Sequence, residues 1–172
     1  MNNHLNIFAA EKLPAEHIIN WFMRRRLQTN SNTKLFPNTY IGNWEGDVFE
    51  VTKSGYLYEY EVKITRADFK KDAEKERRYL SGQHISKFEQ LRGGKRCNYF
   101  YYVVPENMVS VDEVPEFAGL IYINNSYKYP EFKTIKQAPK LTAEKAGEKH
   151  ILKLYESSYY RFHEYRRRIM NL

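Results

Sequence analysis

A chain of 172 residues has the length for one domain with a sizeable core, and its 28 lysines and arginines against 21 aspartates and glutamates give a formal charge of +7. That balance favours a polyanionic partner, nucleic acid ahead of an acidic membrane surface. A single cysteine, Cys97, excludes an internal disulfide framework and a multi-cysteine zinc site. It also fits a reducing compartment. Neither a signal peptide nor a membrane span is visible, so a cytoplasmic protein without membrane attachment is expected.

Residues 13–27 read as a helix, with Pro14 in its first turn and Ile18, Trp21, Phe22 and Arg25 at helical spacing. Arg24-Arg25-Arg26 falls at its C-terminal end, where cations complement the helix dipole, either as a solvated cap or as phosphate contacts. Residues 28–43 are loop-like, with Thr39-Tyr40-Ile41 as a short edge strand. Residues 44–52 and 56–65 have the Val, Tyr and Phe content of strands, joined by Lys53-Ser54-Gly55. From Ala67 or Asp68 a charged helix is expected to run to Tyr79 or Leu80, capped by Thr65. Ser81-Gly82 breaks it, and helix resumes from His84 to Leu91 with Ile85, Phe88 and Leu91 on one face. Asn98–Val104 has the continuous apolar character of a strand buried on both faces, parallel to the strand of Glu61. Val111–Phe117 is a turn or short helix, Gly119–Asn124 a further strand, and Thr142–Ile169 a long helix. In that last helix Tyr159–His163 and Arg166–Arg168 interleave rings with cations, which suits either nucleic-acid contact or packing.

The hairpin within 44–65 carries the chemistry. A three-residue loop with Gly55 in the left-handed region pairs positions whose numbers sum to 108, so Asp47 falls opposite Glu61. Alternation then sends Asp47, Glu59, Glu61 and Lys63 to one face, whereas a four-residue loop would separate the two acids. Two carboxylates a cross-strand pair apart suit a hard divalent cation, Mg²⁺ with Mn²⁺ as a substitute, and the backbone carbonyl of Val62 offers a further oxygen. Lys63 points the same way, where it would position a water and offset charge on a phosphate. Arg66, at the start of the following helix, and Lys70 are candidate phosphate contacts beside Arg24 and Arg25. The acid-x-Lys spacing recurs at Asp68-Phe69-Lys70 and Glu131-Phe132-Lys133, so the tripeptide alone is not specific. The competing reading of Glu61 and Lys63 is a solvated strand face of alternating charge.

The Asp…Glu-x-Lys hairpin followed by T-R-A-D-F-K-K-D resembles the PD-(D/E)xK nuclease superfamily. The run Y-E-Y-E-V-K-I-T-R-A-D-F-K, with the later Y-F-Y-Y-V-V-P-E and G-L-I-Y-I, is most similar to the MmcB-like DNA-repair nuclease group and related phage proteins. The resemblance spans roughly residues 44–124, and it departs from the nominal motif where Gly46 replaces the proline before Asp47. It implies a restriction-endonuclease-like α/β fold: a central mixed sheet flanked by helices, with a core of about 13–124 and a C-terminal helical extension of about 140–170. It further implies Mg²⁺-dependent cleavage of DNA in preference to RNA, endonucleolytic rather than exonucleolytic, leaving a 5′-phosphate and a free 3′-hydroxyl. The metal would be held by Asp47 and Glu61, with an acid from the first helix, Glu16, assisting. Oligomeric state stays open, a homodimer included.

Overall fold

A computed structural model describes residues 14–78, 84–124 and 130–170. Its centre is a six-stranded mixed sheet built from β1 (Lys34–Ile41), β2 (Trp44–Val51), β3 (Leu57–Val62), β6 (Tyr99–Pro105), β7 (Ala118–Asn124) and β8 (Glu131–Lys136), lying side by side in that order. β2 runs antiparallel to both β1 and β3, β3, β6 and β7 are parallel, and β8 is antiparallel to β7. Four helices complete the fold: α1 (Ala15–Thr29), α2 (Arg66–Lys71), α3 (Lys87–Arg92) and α4 (Glu148–Ile169). A small two-stranded ribbon, β4 (Glu76–Arg78) with β5 (His84–Ser86), stands apart from the main sheet. The α/β class, the mixed sheet flanked by helices and the long C-terminal helix are those expected from the sequence.

The two sheet faces are covered by different helices. On one, Ile18, Ile19 and Phe22 of α1 pack on Val48, Tyr60, Val62, Tyr101 and Val103. Side chains of this size stabilise the fold by roughly 1.5–3 kcal/mol each when fully withdrawn from water. The other face is the larger core, where Phe49, Leu57, Phe100, Tyr102 and Leu120 meet Leu91 of α3 and Leu154 of α4. Arg26, read as part of a cationic helix end, has a structural task. Its guanidinium donates to both carboxylate oxygens of buried Glu50 at 2.9 and 2.7 Å, and Tyr60 and Thr33 donate to the same group.

Four expectations need correction. Residues 28–43 are not mainly loop: β1 is eight residues long, and Pro37 is tolerated because β1 lies at the sheet edge. Thr65 does cap α2, accepting from the Asp68 amide at 3.1 Å, but the helix ends at Lys71 and the chain passes through a 3₁₀ turn (Asp72–Glu74) into β4. Burial of Asp72 beneath Lys75 and Tyr102 draws the backbone out of the helical path that its charge pattern favours. His84–Ser86 is strand, so only the second half of the expected 84–91 helix is helical, and Tyr79 to Gly82 lie outside the described residues. Finally, 142–147 is not helical. Asn98, buried, donates to the carbonyls of Thr142 and Glu144, and Ala146 N–H donates to Gly55, which hold this stretch straight until α4 begins. β8, which the sequence reading did not assign, covers the edge of β7. No described helix is long and apolar enough to cross a membrane.

Candidate active site

The hairpin register is the one the loop chemistry demands. Val48 pairs with Tyr60 and Phe49 with Glu59, Gly55 N–H donates to Thr52 across the turn, and Gly55 has φ of +84°. A side chain at position 55 would be strained there. Extending this register brings Asp47 opposite Glu61.

Asp47 reaches the site by a route that plain alternation does not describe. A Cβ at Gly46 would lie 2.7 Å from the Phe49 ring and 3.4 Å from Cγ of Glu59, so Gly46 faces the same core as Phe49. The side-chain alternation of β2 therefore slips by one at Asp47. Across from it Asn38, with φ of +49°, breaks the β1 ladder in the same place. Asp47 sits where β2 leaves β3, and its Oδ2 accepts the Val62 amide at 2.6 Å, a bond that a β2 carbonyl would otherwise make. The expected face thus holds Glu59, Glu61 and Lys63, and Asp47 approaches from the strand edge. It is the Val62 amide, not its carbonyl, that meets Asp47. The missing proline before Asp47 also has a reason, since the Phe49 ring fills the space of any side chain there. Gly46→Ala is expected to cost about 1–3 kcal/mol in urea unfolding, because Phe49 is fully buried and must shift.

Around Glu61 the structure gathers, besides the expected Lys63, two cations that the sequence did not announce. Its carboxylate receives Lys63 at 2.7 Å, Lys75 at 2.8 Å and Lys87 at 3.0 Å. Lys75 and Lys87 stand at the base of the β4–β5 ribbon, joined by a 3.0 Å bond from the Lys87 amide to the Lys75 carbonyl. Buried Asp72 adds a further acid: Tyr102 donates to Oδ2 at 2.8 Å, while Oδ1 has no well-directed hydrogen bond and is held by charge from Lys75 at 2.6 Å and Lys63 at 3.3 Å. Behind this lies Glu59, gripped by two donors of Arg96 at 3.0 and 2.8 Å and approached by Lys87 at 3.5 Å. Four acids and four cations are therefore interleaved, with Asp47 the one acid that has no ammonium within 4.0 Å among the described residues.

The electrostatics follow from this arrangement. Burial, then the negative charge of Glu61, push the Asp47 carboxyl up to about 6; the Val62 amide, Lys63 and Lys87 pull the other way without prevailing. Burial alone would raise Glu61 too, but Lys87, Lys63 and Lys75 outweigh it and hold that carboxyl below its ordinary range. Burial would lower Lys87, yet Glu59, Glu61 and Asp72 hold it above its usual value. The pair is thus asymmetric, with one acid fixed as an anion and its neighbour poised near neutrality.

The remaining candidates are dispersed. Glu16 belongs to α1, on the opposite face, where its carboxylate accepts from Asn38 at 3.2 and 3.4 Å. It does not join Asp47 and Glu61 because α1 packs on the sheet face opposite Glu59 and Glu61. Arg66 is committed elsewhere: it donates to the Met108 carbonyl at 2.5 Å and pairs with Glu113. Arg24, Arg25 and Lys70 are exposed. Lys87 was detectable in principle, since it lies four residues before Leu91 and shares the helix face that Leu91 buries. Asp72 and Lys75 carried no such mark within their charged run.

No family model and no curated protein matches the chain. Among solved structures, it is similar to a protein of unknown function from Silicibacter pomeroyi, with a TM-score of 0.59 and 16% identity over 93% of this chain and 94% of that one. At that identity the likeness speaks for the fold.

Proposed function

We propose that the chain is a metal-dependent nuclease that hydrolyses phosphodiester bonds of DNA, in DNA repair or phage DNA metabolism. The observation that carries this reading is the hairpin, whose register together with the slip at Asp47 leaves that carboxyl on the Val62 amide, within the field of ionised Glu61 two residues before Lys63. It agrees with the PD-(D/E)xK resemblance of the same residues.

Two hard oxygen donors, one of them without an ammonium partner, fit Mg²⁺ or Mn²⁺ and not a structural zinc. Asp47 and Glu61 would hold the ion, which when bound supplies Lewis acidity at the phosphate and neutralises the repulsion between the acids. Lys75 and Lys87 keep Glu61 ionised at every working pH. Lys63, whose side chain is still 11% exposed, donates to Glu61, and from there its ammonium would orient a water and offset negative charge growing on the phosphate. Exposed Arg24, Arg25 and Lys70 serve as non-specific phosphate contacts.

One observation favours a second reading, a nucleic-acid-binding protein without turnover. Glu61 already has three ammonium partners, and no group of three or more metal-ligating side chains occurs among the described residues. The test is titration of Mg²⁺ and Mn²⁺ into chelator-stripped protein with labelled single- and double-stranded DNA. Cleavage that appears with metal and stops with chelator is expected. Salt-sensitive binding with no product in either metal would leave only the second reading.

A further inference from the structure

Adjoining the acid cluster, with Arg96 in common, lies a cavity of about 360 Å³, within the range of small-ligand pockets. Its wall includes Trp44, Arg96, Lys95 and, from the first turns of α4, Lys149, His150 and Lys153. No aspartate or glutamate lines it among the described residues. Arg96 is already neutralised by Glu59, but Lys95, Lys149 and Lys153 have no carboxylate within 4.0 Å among the described residues. Lys149 and Lys153 are four residues apart on one helix, an arrangement that repels itself and is relieved by an anion between them. Two other cations nearby are matched by contrast: Arg161 answers Glu45, and Arg96 answers Glu59. An unmatched cationic concavity with an indole in its wall is suited to a phosphate attached to a flat ring.

The geometry points to a nucleoside-phosphate site in this cavity, with the phosphate held by Lys95, Lys149 and Lys153 and the base against the part of the largely buried Trp44 indole that lines the wall, beside the Arg96 guanidinium that covers its ring at 5.6 Å. The occupant has two sources, a free nucleotide or the terminal nucleotide of a polynucleotide, and the chemistry is common to both. The site does not depend on the nuclease reading, because it shares none of Asp47, Glu61 or Lys63.

The test uses full-length protein in chelator, so binding is read without cleavage. Calorimetry compares dAMP, deoxyadenosine and inorganic phosphate. Trp44 emission is followed in a Trp21→Phe background, leaving one indole. dAMP is expected to bind and shift that emission, and deoxyadenosine to bind about tenfold or more weaker. Lys149→Gln with Lys153→Gln should weaken dAMP by about tenfold or more; both side chains are exposed, so the fold is not at risk, and circular dichroism checks it. Equal binding of deoxyadenosine and dAMP, or an unchanged affinity in the double variant, would overturn the assignment. Competition by a 5′-phosphorylated oligonucleotide, but not its unphosphorylated form, identifies a strand end as the source. Failure of both to compete identifies the free nucleotide.

Discussion

Replacing Lys87 with methionine is expected to cost about 3–5 kcal/mol of stability, the loss seen when one partner of a buried charge network is removed. The shape change is small, so the cost is electrostatic. Lys87 has a fully buried side chain and lies 3.0 Å from Glu61, 3.5 Å from Glu59 and 3.9 Å from Asp72. Without it, the four acids of the cluster face only Lys63, Lys75 and Arg96, and uptake of one proton restores the balance. The variant should therefore recover part of its stability as pH falls, as no surface lysine substitution would. Lys75→Met gives the contrast. Its side chain is 38% exposed, so water screens its ammonium in part although Glu61 and Asp72 are buried, and its loss should cost less than that of Lys87, about 1–2 kcal/mol. Urea unfolding of both variants at pH 5 and pH 7.5 checks the pair. A Lys87 variant within 1 kcal/mol of the parent at both values would mean that the cluster is solvated and that Lys87 is dispensable.

Lys87 shares a helix face with Leu91 and could be suspected of burial, but its neighbours in the cluster show where sequence reasoning reaches its limit. The β2–β3 hairpin was legible because its register is encoded locally: one glycine at φ > 0 fixes the loop length, and loop length fixes which residues face each other. The Asn98–Val104 strand was legible because a buried parallel strand has little choice of composition, and its pairing with β3 follows. By contrast, the run from Lys70 to Arg78 has the mixed charges of a solvated helix, and nothing local says that Asp72 will be buried beside Tyr102 or that Lys75 will reach in to Glu61. The same limit applies to Asp47. Its register could be counted, but its side-chain direction depends on a slip in alternation set by Asn38 and Phe49, which no period-2 pattern predicts. Glu16 fails for the simplest reason, because helix α1 covers the other face and no feature of its sequence says which face it will take.

Asp47→Asn should make the protein more stable at neutral pH while removing its proposed activity. An Asp carboxyl raised from 3.8 to about 6 holds more protons folded than unfolded between those values. Stability from this group therefore falls as pH rises from about 4 to about 6 and stays low above; at 1.36 kcal/mol per unit, 6 − 3.8 gives a penalty of about 3 kcal/mol at pH 7.5. Asparagine keeps an oxygen for the Val62 amide and removes the charge, but its amide must itself be desolvated, so about 1–2 kcal/mol should be recovered. Glu61 works with the opposite sign: its lowered carboxyl stabilises the fold above its ordinary value and loses that contribution only in stronger acid, outside this window. Between pH 4.5 and 6 the parent should thus lose stability relative to the variant, whose curve is flatter. Mg²⁺ provides the second axis, since an ion held by both acids binds only the folded chain and should raise the parent's melting temperature but not the variant's. If the variant melts below the parent at pH 7.5, or if Mg²⁺ lifts both equally, the repulsion between Asp47 and Glu61 is not a vacancy shaped for a cation. A stabilised variant that neither responds to Mg²⁺ nor cleaves DNA is the result expected of a chain that gives up stability to keep two acids side by side.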